Sequence, residues 1–185
     1  MASAVALLRA VNVAGSGMLA MADLRACANR AGAEAVRTVL QTGNLIFAAS
    51  GPHGAGSWET RLAEALAAQA GLCTEVIVRT RADWSRLIAD NPFADVAADT
   101  PARLAVFALK HAAAEDDAGT LAASITGPER IALRGNTLYA HYPDGMGRSK
   151  LTGKRIERAL GTPATARNWN TVRKIMAALD AVAEE

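Results

Sequence analysis

VRTVLQTGNLIFAA, residues 36–49, decides the fold. Two short runs rich in β-branched and large apolar residues, VRTVL (36–40) and NLIFAA (44–49), flank a turn at Gln41–Asn44. Such runs suit a pleated, half-buried surface, and a glycine in the turn lets the chain reverse, so the stretch predicts a β-hairpin. On its N-terminal side, AVALLRAVNV (4–13) reads as a buried strand, broken by AGSG. Met21 to Ala31 then carries Leu24, Cys27, Ala28 and Ala31 at helical spacing, with Gly32 just past the end. On its C-terminal side, 51–56 is a loop and Ser57 is placed to cap a helix. Trp58, Leu62, Ala65, Leu66 and Gln69 fall along one side of that helix, and Gly71 ends it. TEVIVRT (74–80) is a further strand. The order β-α-β-β-α-β is the split motif of ferredoxin-like domains.

The rest of the chain repeats it. Thr80 and Asp83 form a capping box for a helix with Trp84, Leu87 and Ile88, which Asn91-Pro92 stops. ADVAADTPA (94–102) reads as a linker, ARLAVFALK (102–110) as a strand and His111 to Ser124 as an alanine-rich helix. ERIALRG and NTLYAHY (129–142) predict a second hairpin turning at Gly135-Asn136. A helix over 149–160 ends at Gly161. The sixth element is expected to be replaced by a helix from about Asn170 to Val182, with Val172, Ile175, Met176, Leu179 and Val182 as its apolar stripe. The expected fold is α+β: two ferredoxin-like (βαββαβ-type) subdomains, 1–90 and 102–185, with an extra C-terminal helix. No short sequence repeat marks the duplication.

The length of 185 residues suits one domain or two small ones at roughly 150 residues per domain. Alanine supplies 43 of these residues, so the core must be built from Leu, Val and Ile with many small contacts. Aromatic residues are only 4%, which leaves little material for stacking nucleic-acid bases. No apolar run approaches the ~18 residues that span a membrane, and no basic, then apolar, leader opens the chain. A cytoplasmic protein without membrane contact is expected. Cys27 and Cys73 are too few for a disulfide framework or a zinc cluster and are expected to be buried and inert. His53, His111 and His141 have no metal-ligand spacing, so neither a metal nor a cofactor is expected.

Gly15-Ser16-Gly17-Met18-Leu19-Ala20 matches G-x-G-x-x-G/A, the dinucleotide pattern. The second strand, however, enters a hairpin where a Rossmann fold needs a crossover helix, and no acid ends it to hold a ribose. Nor is there a nucleophile elbow, a phosphate-binding P-loop or an evident pair of catalytic carboxylates; Glu115, Asp116 and Asp117 are consecutive and splay around a helix.

Charge is the more informative signal. From Arg148 to Lys174 there are eight basic side chains against one acid, Glu157, although the whole chain carries only +2. Lys150, Lys154 and Arg158 are spaced to form one helical stripe, with Arg155 beside it. Thr165 to Val172 (TARNWNTV) opens the last helix, where Asn168 or Asn170 is placed to cap and free amides favour an anion. Each feature also has a plain explanation: a solvated helix face, and an ordinary capped helix start with Trp169 packed inward.

Several segments together resemble a bacterial family, the domain of unknown function 1697. They are ALLRAVNV (6–13), MADLR (21–25), VRTVLQTGNLIF (36–47), NPF (91–93) and SKLTGKRIERALGTPATARNWNTVRKI (149–175). The resemblance implies two ferredoxin-like subdomains and no established activity. Its functional-looking positions fall on Arg9, Asn12, Thr42, Gly43, Asn44, Ser149, Lys150, Arg167, Asn168 and Asn170. After Asn12 the family usually has a basic loop of the kind G-G-x-N-K, whereas this chain has AGSGML and lacks the lysine.

The leading expectation is a binding protein for an anionic small molecule or nucleic acid, held in a groove between the two halves by these ten residues. Two other readings stay open. One is an enzyme acting on a phosphorylated or carboxylated metabolite, using Ser149 or Thr42 with Lys150. The other is a ligand-free interaction module whose basic helix meets an acidic partner.

Overall fold

A computed structural model describes residues 2–12, 18–49 and 54–184. The first half runs β1 (Ser3–Leu8), α1 (Met21–Arg30), β2 (Glu34–Val39), β3 (Asn44–Ala48), α2 (Ala55–Ala70), β4 (Val76–Thr80) and α3 (Arg81–Ala89). A short helix, α4 (Ala94–Asp99), and a 3-10 turn lead into the second half. That half runs β5 (Leu104–Leu109), α5 (Glu115–Ala123), β6 (Arg130–Arg134), β7 (Thr137–His141), α6 (Gly153–Leu160), β8 (Ala164–Asn168) and α7 (Trp169–Ala183). The sheets are antiparallel, with strand orders β2-β3-β1-β4 and β6-β7-β5-β8. Each half is therefore a ferredoxin-like βαββαβ unit followed by a helix. None of the described helices is long and apolar enough to cross a membrane.

The repetition extends to single hydrogen bonds. Leu8 N donates to Gly43 O at 2.9 Å, and Leu109 N to Asn136 O at 2.9 Å. One residue further on, Arg9 N donates to Glu75 O and Lys110 N to Pro163 O. Backbone geometry thus repeats: a leucine followed by a basic residue donates in each half, although the accepting residues, Gly43 and Glu75 against Asn136 and Pro163, differ.

Both central strands are buried along their whole length, which explains why their sequences are continuous apolar runs rather than alternating ones. In the first half, Ala4, Ala6, Leu8, Leu45, Phe47, Val76 and Val78 pack on Leu24 and Cys27 of α1 and on Trp58, Leu62 and Leu66 of α2. Phe47 and Trp58 meet as tilted rings 4.9 Å apart. In the second, Phe107, Leu138 and Ala140 pack with Leu121 of α5 and with Ile156 and Leu160 of α6. Each such leucine contributes roughly 1.5–3 kcal/mol of transfer free energy.

The chain divides into two compact units. The first holds the chain up to Arg86 together with the chain from Lys174 onward, and the second is Leu87–Arg173. Within the first, Ser3 Oγ donates to Leu179 O at 2.8 Å, and Arg81 pairs with Asp180 at 2.6 Å. Within the second, the buried Tyr139 hydroxyl donates to Leu87 O at 2.6 Å.

Several expectations need correction. The sixth strand of the second half is present as β8, and α7 starts at Trp169 rather than Asn170. This edge strand escaped the pattern because it buries small residues: Ala164 and Ala166 face the core while Thr165 and Arg167 take the other side. The supposed linker folds as α4. The helix expected over 149–160 begins at Gly153, capped by Thr152, whose Oγ1 accepts from Arg155 N. Lys150 therefore lies ahead of the helix, and only Lys154 and Arg158 remain on a helical stripe. The helix expected from His111 spans only Glu115–Ala123. Gly54, not Ser57, occupies the cap position of α2. Cys27 is buried, but Cys73 is exposed in the turn that follows the left-handed Gly71. The glycines of the dinucleotide-like motif, Gly15 and Gly17, and also His53, lie outside the described residues.

Candidate functional site

The ten residues singled out from the sequence fall into three local settings. Arg9, Asn12, Thr42, Gly43 and Asn44 gather where β1 ends beside the β2–β3 turn. The backbone there is unusual: Ala10, Asn12, Leu40 and Gly43 all have positive φ. Asn12 tolerates this conformation because its short amide bonds locally. Its Nδ2 donates to Leu19 O at 2.8 Å and Gln41 O at 2.9 Å, and its Oδ1 accepts from Leu19 N at 2.8 Å. At Gly43, with φ of +71°, a Cβ would stand 2.9 Å from Leu8 Cβ, so the tight approach to β1 excludes any larger residue. Asn44 is fully buried, and its Nδ2 donates to Val39 O at 2.8 Å and to Thr42 Oγ1 at 3.1 Å. Arg9 accepts from Thr74 Oγ1 through its carbonyl, and its side chain borders an open cavity of about 670 Å³ with Ala63, Leu72 and Cys73.

Arg167 and Asn168 sit at the β8–α7 junction. Arg167 is 9% exposed, and its Nη1 donates to Thr165 Oγ1 at 2.8 Å and Ala166 O at 2.7 Å. Burial lowers its guanidinium to about 10, so it stays charged at neutral pH. Asn168 caps α7: its Oδ1 accepts from Thr171 N at 2.9 Å and Thr171 Oγ1 at 3.0 Å. The junction β4–α3 repeats this design, with buried Arg79 before Thr80, whose Oγ1 accepts from Asp83 N. Asn170 is exposed on the first turn of α7.

Ser149 and Lys150 belong elsewhere, in a cleft of about 350 Å³ within the second unit. Its walls come from residues 125–129, from Asp144, from residues 148–151 and from Arg155 of α6. Arg167, Asn168 and Asn170 are not among its lining residues. The 144–151 segment is fixed at several points. Gly145 N donates to Tyr142 O at 3.0 Å, Ser149 N to Met146 O at 3.2 Å, and Leu151 N to Ser149 Oγ at 2.9 Å. The buried Tyr142 hydroxyl donates to Leu151 O at 3.0 Å, and burial pushes its pKa well up. Ser149 Oγ donates to the Glu129 carboxylate, and that bond holds the carboxyl below its ordinary range. Arg155 Nη2 donates to Ser124 O and Oγ. Arg148, Lys150 and Asp144 are exposed, and their side chains enter no hydrogen bond or ion pair among the described residues.

The sequence pointed to Arg148 and Lys150 through local positive charge, and to Ser149 through the family resemblance. Glu129 and Asp144 were missed, since Glu129 meets Ser149 only through a contact twenty residues apart in the chain. Among the described residues no three His, Cys, Asp or Glu side chains come together as a metal site would need.

A family model described as a protein of unknown function, DUF1697, matches residues 1–139. Among solved structures, the chain is similar to the conserved bacterial protein SP0830 from Streptococcus pneumoniae. The TM-score is 0.72 at 17% identity, over 96% of this chain and 98% of that one, a likeness of fold. No curated protein matches.

Proposed function

The chain belongs to the DUF1697 family, and from that premise we propose that it is a binding protein whose second unit takes an anionic group in the cleft ahead of α6. One observation carries this reading. Arg148 and Lys150 project from a segment anchored on both sides, yet neither cation has an acidic or carbonyl partner among the described residues. A cation unpaired at its head has no bond to give up when an anion arrives, which offsets part of the cost of ordering its long side chain. The cleft volume falls within the range of roughly 300–1,000 Å³ usual for small-molecule sites. The enzyme reading is weaker, because both hydrogen-bonding roles of Ser149 are taken, by Glu129 and by Leu151 N. The two free cysteines, one exposed, suit a reducing compartment such as the cytoplasm.

Titration calorimetry with inorganic phosphate at low ionic strength tests the reading. The wild-type protein is expected to bind, with affinity falling as salt rises, and Arg148→Ala and Lys150→Ala each to weaken binding about tenfold. An unchanged isotherm in the double variant would remove the cleft from consideration.

A further inference from the structure

We infer that the ligand of this cleft carries hydroxyl groups close to its anionic group, as a sugar phosphate does; the inference rests on the anion-binding reading above. The cleft is not uniformly positive. Asp144 stands four residues before Arg148 on the same anchored segment and, like it, is exposed and unpaired among the described residues. Glu129 adds a second carboxylate, kept ionised by its bond from Ser149. Arg155 keeps its charge although its guanidinium is engaged with Ser124, so Arg148, Lys150 and Arg155 stand against Asp144 and Glu129 and the cleft holds an excess of only one cation. A bare polyanion, including a nucleic-acid backbone with its repeating phosphates, gains little from such a field and meets like charge at Asp144.

A ligand of divided chemistry satisfies both walls. Its anionic end meets Arg148 and Lys150. A neighbouring pair of hydroxyls donates to Asp144, which as an ionised carboxylate only accepts hydrogen bonds and has acceptor sites to spare. Ile125, Pro128 and Leu151 supply an apolar wall against which the carbon face of a ring can lie. The volume of about 350 Å³ holds one phosphorylated ring, more space than a short amine chain fills.

The test titrates the full chain with inorganic phosphate, ribose 5-phosphate and phosphoethanolamine. Ribose 5-phosphate is expected to bind at least tenfold more tightly than phosphate. Asp144→Asn should abolish that advantage while leaving phosphate affinity equal or higher, since it removes a negative charge and no folding contact. Equal affinity for phosphate and ribose 5-phosphate overturns the inference but not the anion-binding reading. So does a preference for phosphoethanolamine, or an advantage that survives in Asp144→Asn. If none of the three probes binds the wild-type protein, both fall.

Discussion

The polar residues at the end of β1 and those ahead of α6 look alike in sequence and differ in what their polar groups do. Asn12 and Asn44 turn inward, with amides bonded to the backbone of Leu19, Gln41 and Val39. Asp144, Arg148 and Lys150 turn outward and meet no partner among the described residues. The first set holds a strained turn together, whereas the second is held by its neighbours and has its charges to spare. A polar side chain already consumed by the fold has little left for a ligand. Stability and binding should therefore separate cleanly between the two regions.

The largest effect on stability is expected from Asn44→Ala. It strips the half-buried carbonyl Val39 O of a donor and leaves a gap where the fully buried Asn44 side chain stood. Loss of about 2–3 kcal/mol should appear in urea unfolding, with phosphate binding by the folded protein unchanged. A near-neutral Asn44→Ala would erase the contrast, since the turn cluster would then no longer be structural.

The two helix caps sharpen the comparison between the units. Asn168→Ala and Thr80→Ala each remove a side-chain acceptor at the first turn of a helix, and each should cost about 1 kcal/mol. Similar losses of Tm would establish that the two junctions do the same work. A much larger loss at Asn168 would point to a role beyond capping.

The smallest effect is expected at Ser149→Ala, and it depends on pH. The Glu129 carboxyl is depressed chiefly by the bond from Ser149. A depressed carboxyl stabilises the fold above its ordinary pKa, and this contribution is lost as pH falls through the lowered value. The gap between wild type and Ser149→Ala should therefore be widest near neutral pH and narrow in acid to the pH-independent loss of the acceptor for Leu151 N, and an NMR titration should show the Glu129 pKa rising in the variant. An unmoved Glu129 pKa would show that the serine does not hold the carboxylate.

How much of this was legible in the sequence follows from the range of each interaction. The hairpins and first helices announced themselves because their signals are local: β-branched runs, a left-handed Gly32 or Gly135, and a Thr80–Asp83 box. The strand β8 hid because alanine and threonine give no hydropathy pattern, and a buried Arg167 reads as surface until its bonds to Thr165 and Ala166 are seen. The basic stretch was visible, but its sorting was not. Sequence grouped Lys150 with Arg167 by nearness and charge, whereas the fold buries one guanidinium in a sheet and leaves the other cation at a cleft. Glu129 carried no signal, because its bond from Ser149 arises only when two loops meet.

The division of α7 has a consequence for how the protein is made. Residues from Lys174 on belong to the first unit, yet they leave the ribosome after every residue of the second. The N-terminal sheet can emerge and collapse early, but Ser3 gains its acceptor on Leu179, and Arg81 its partner Asp180, only once translation has passed them. Domain-by-domain maturation in order of synthesis is thereby denied to this chain. A stalled or clipped product lacking those residues exposes its oldest half, not its newest, to proteases and chaperones.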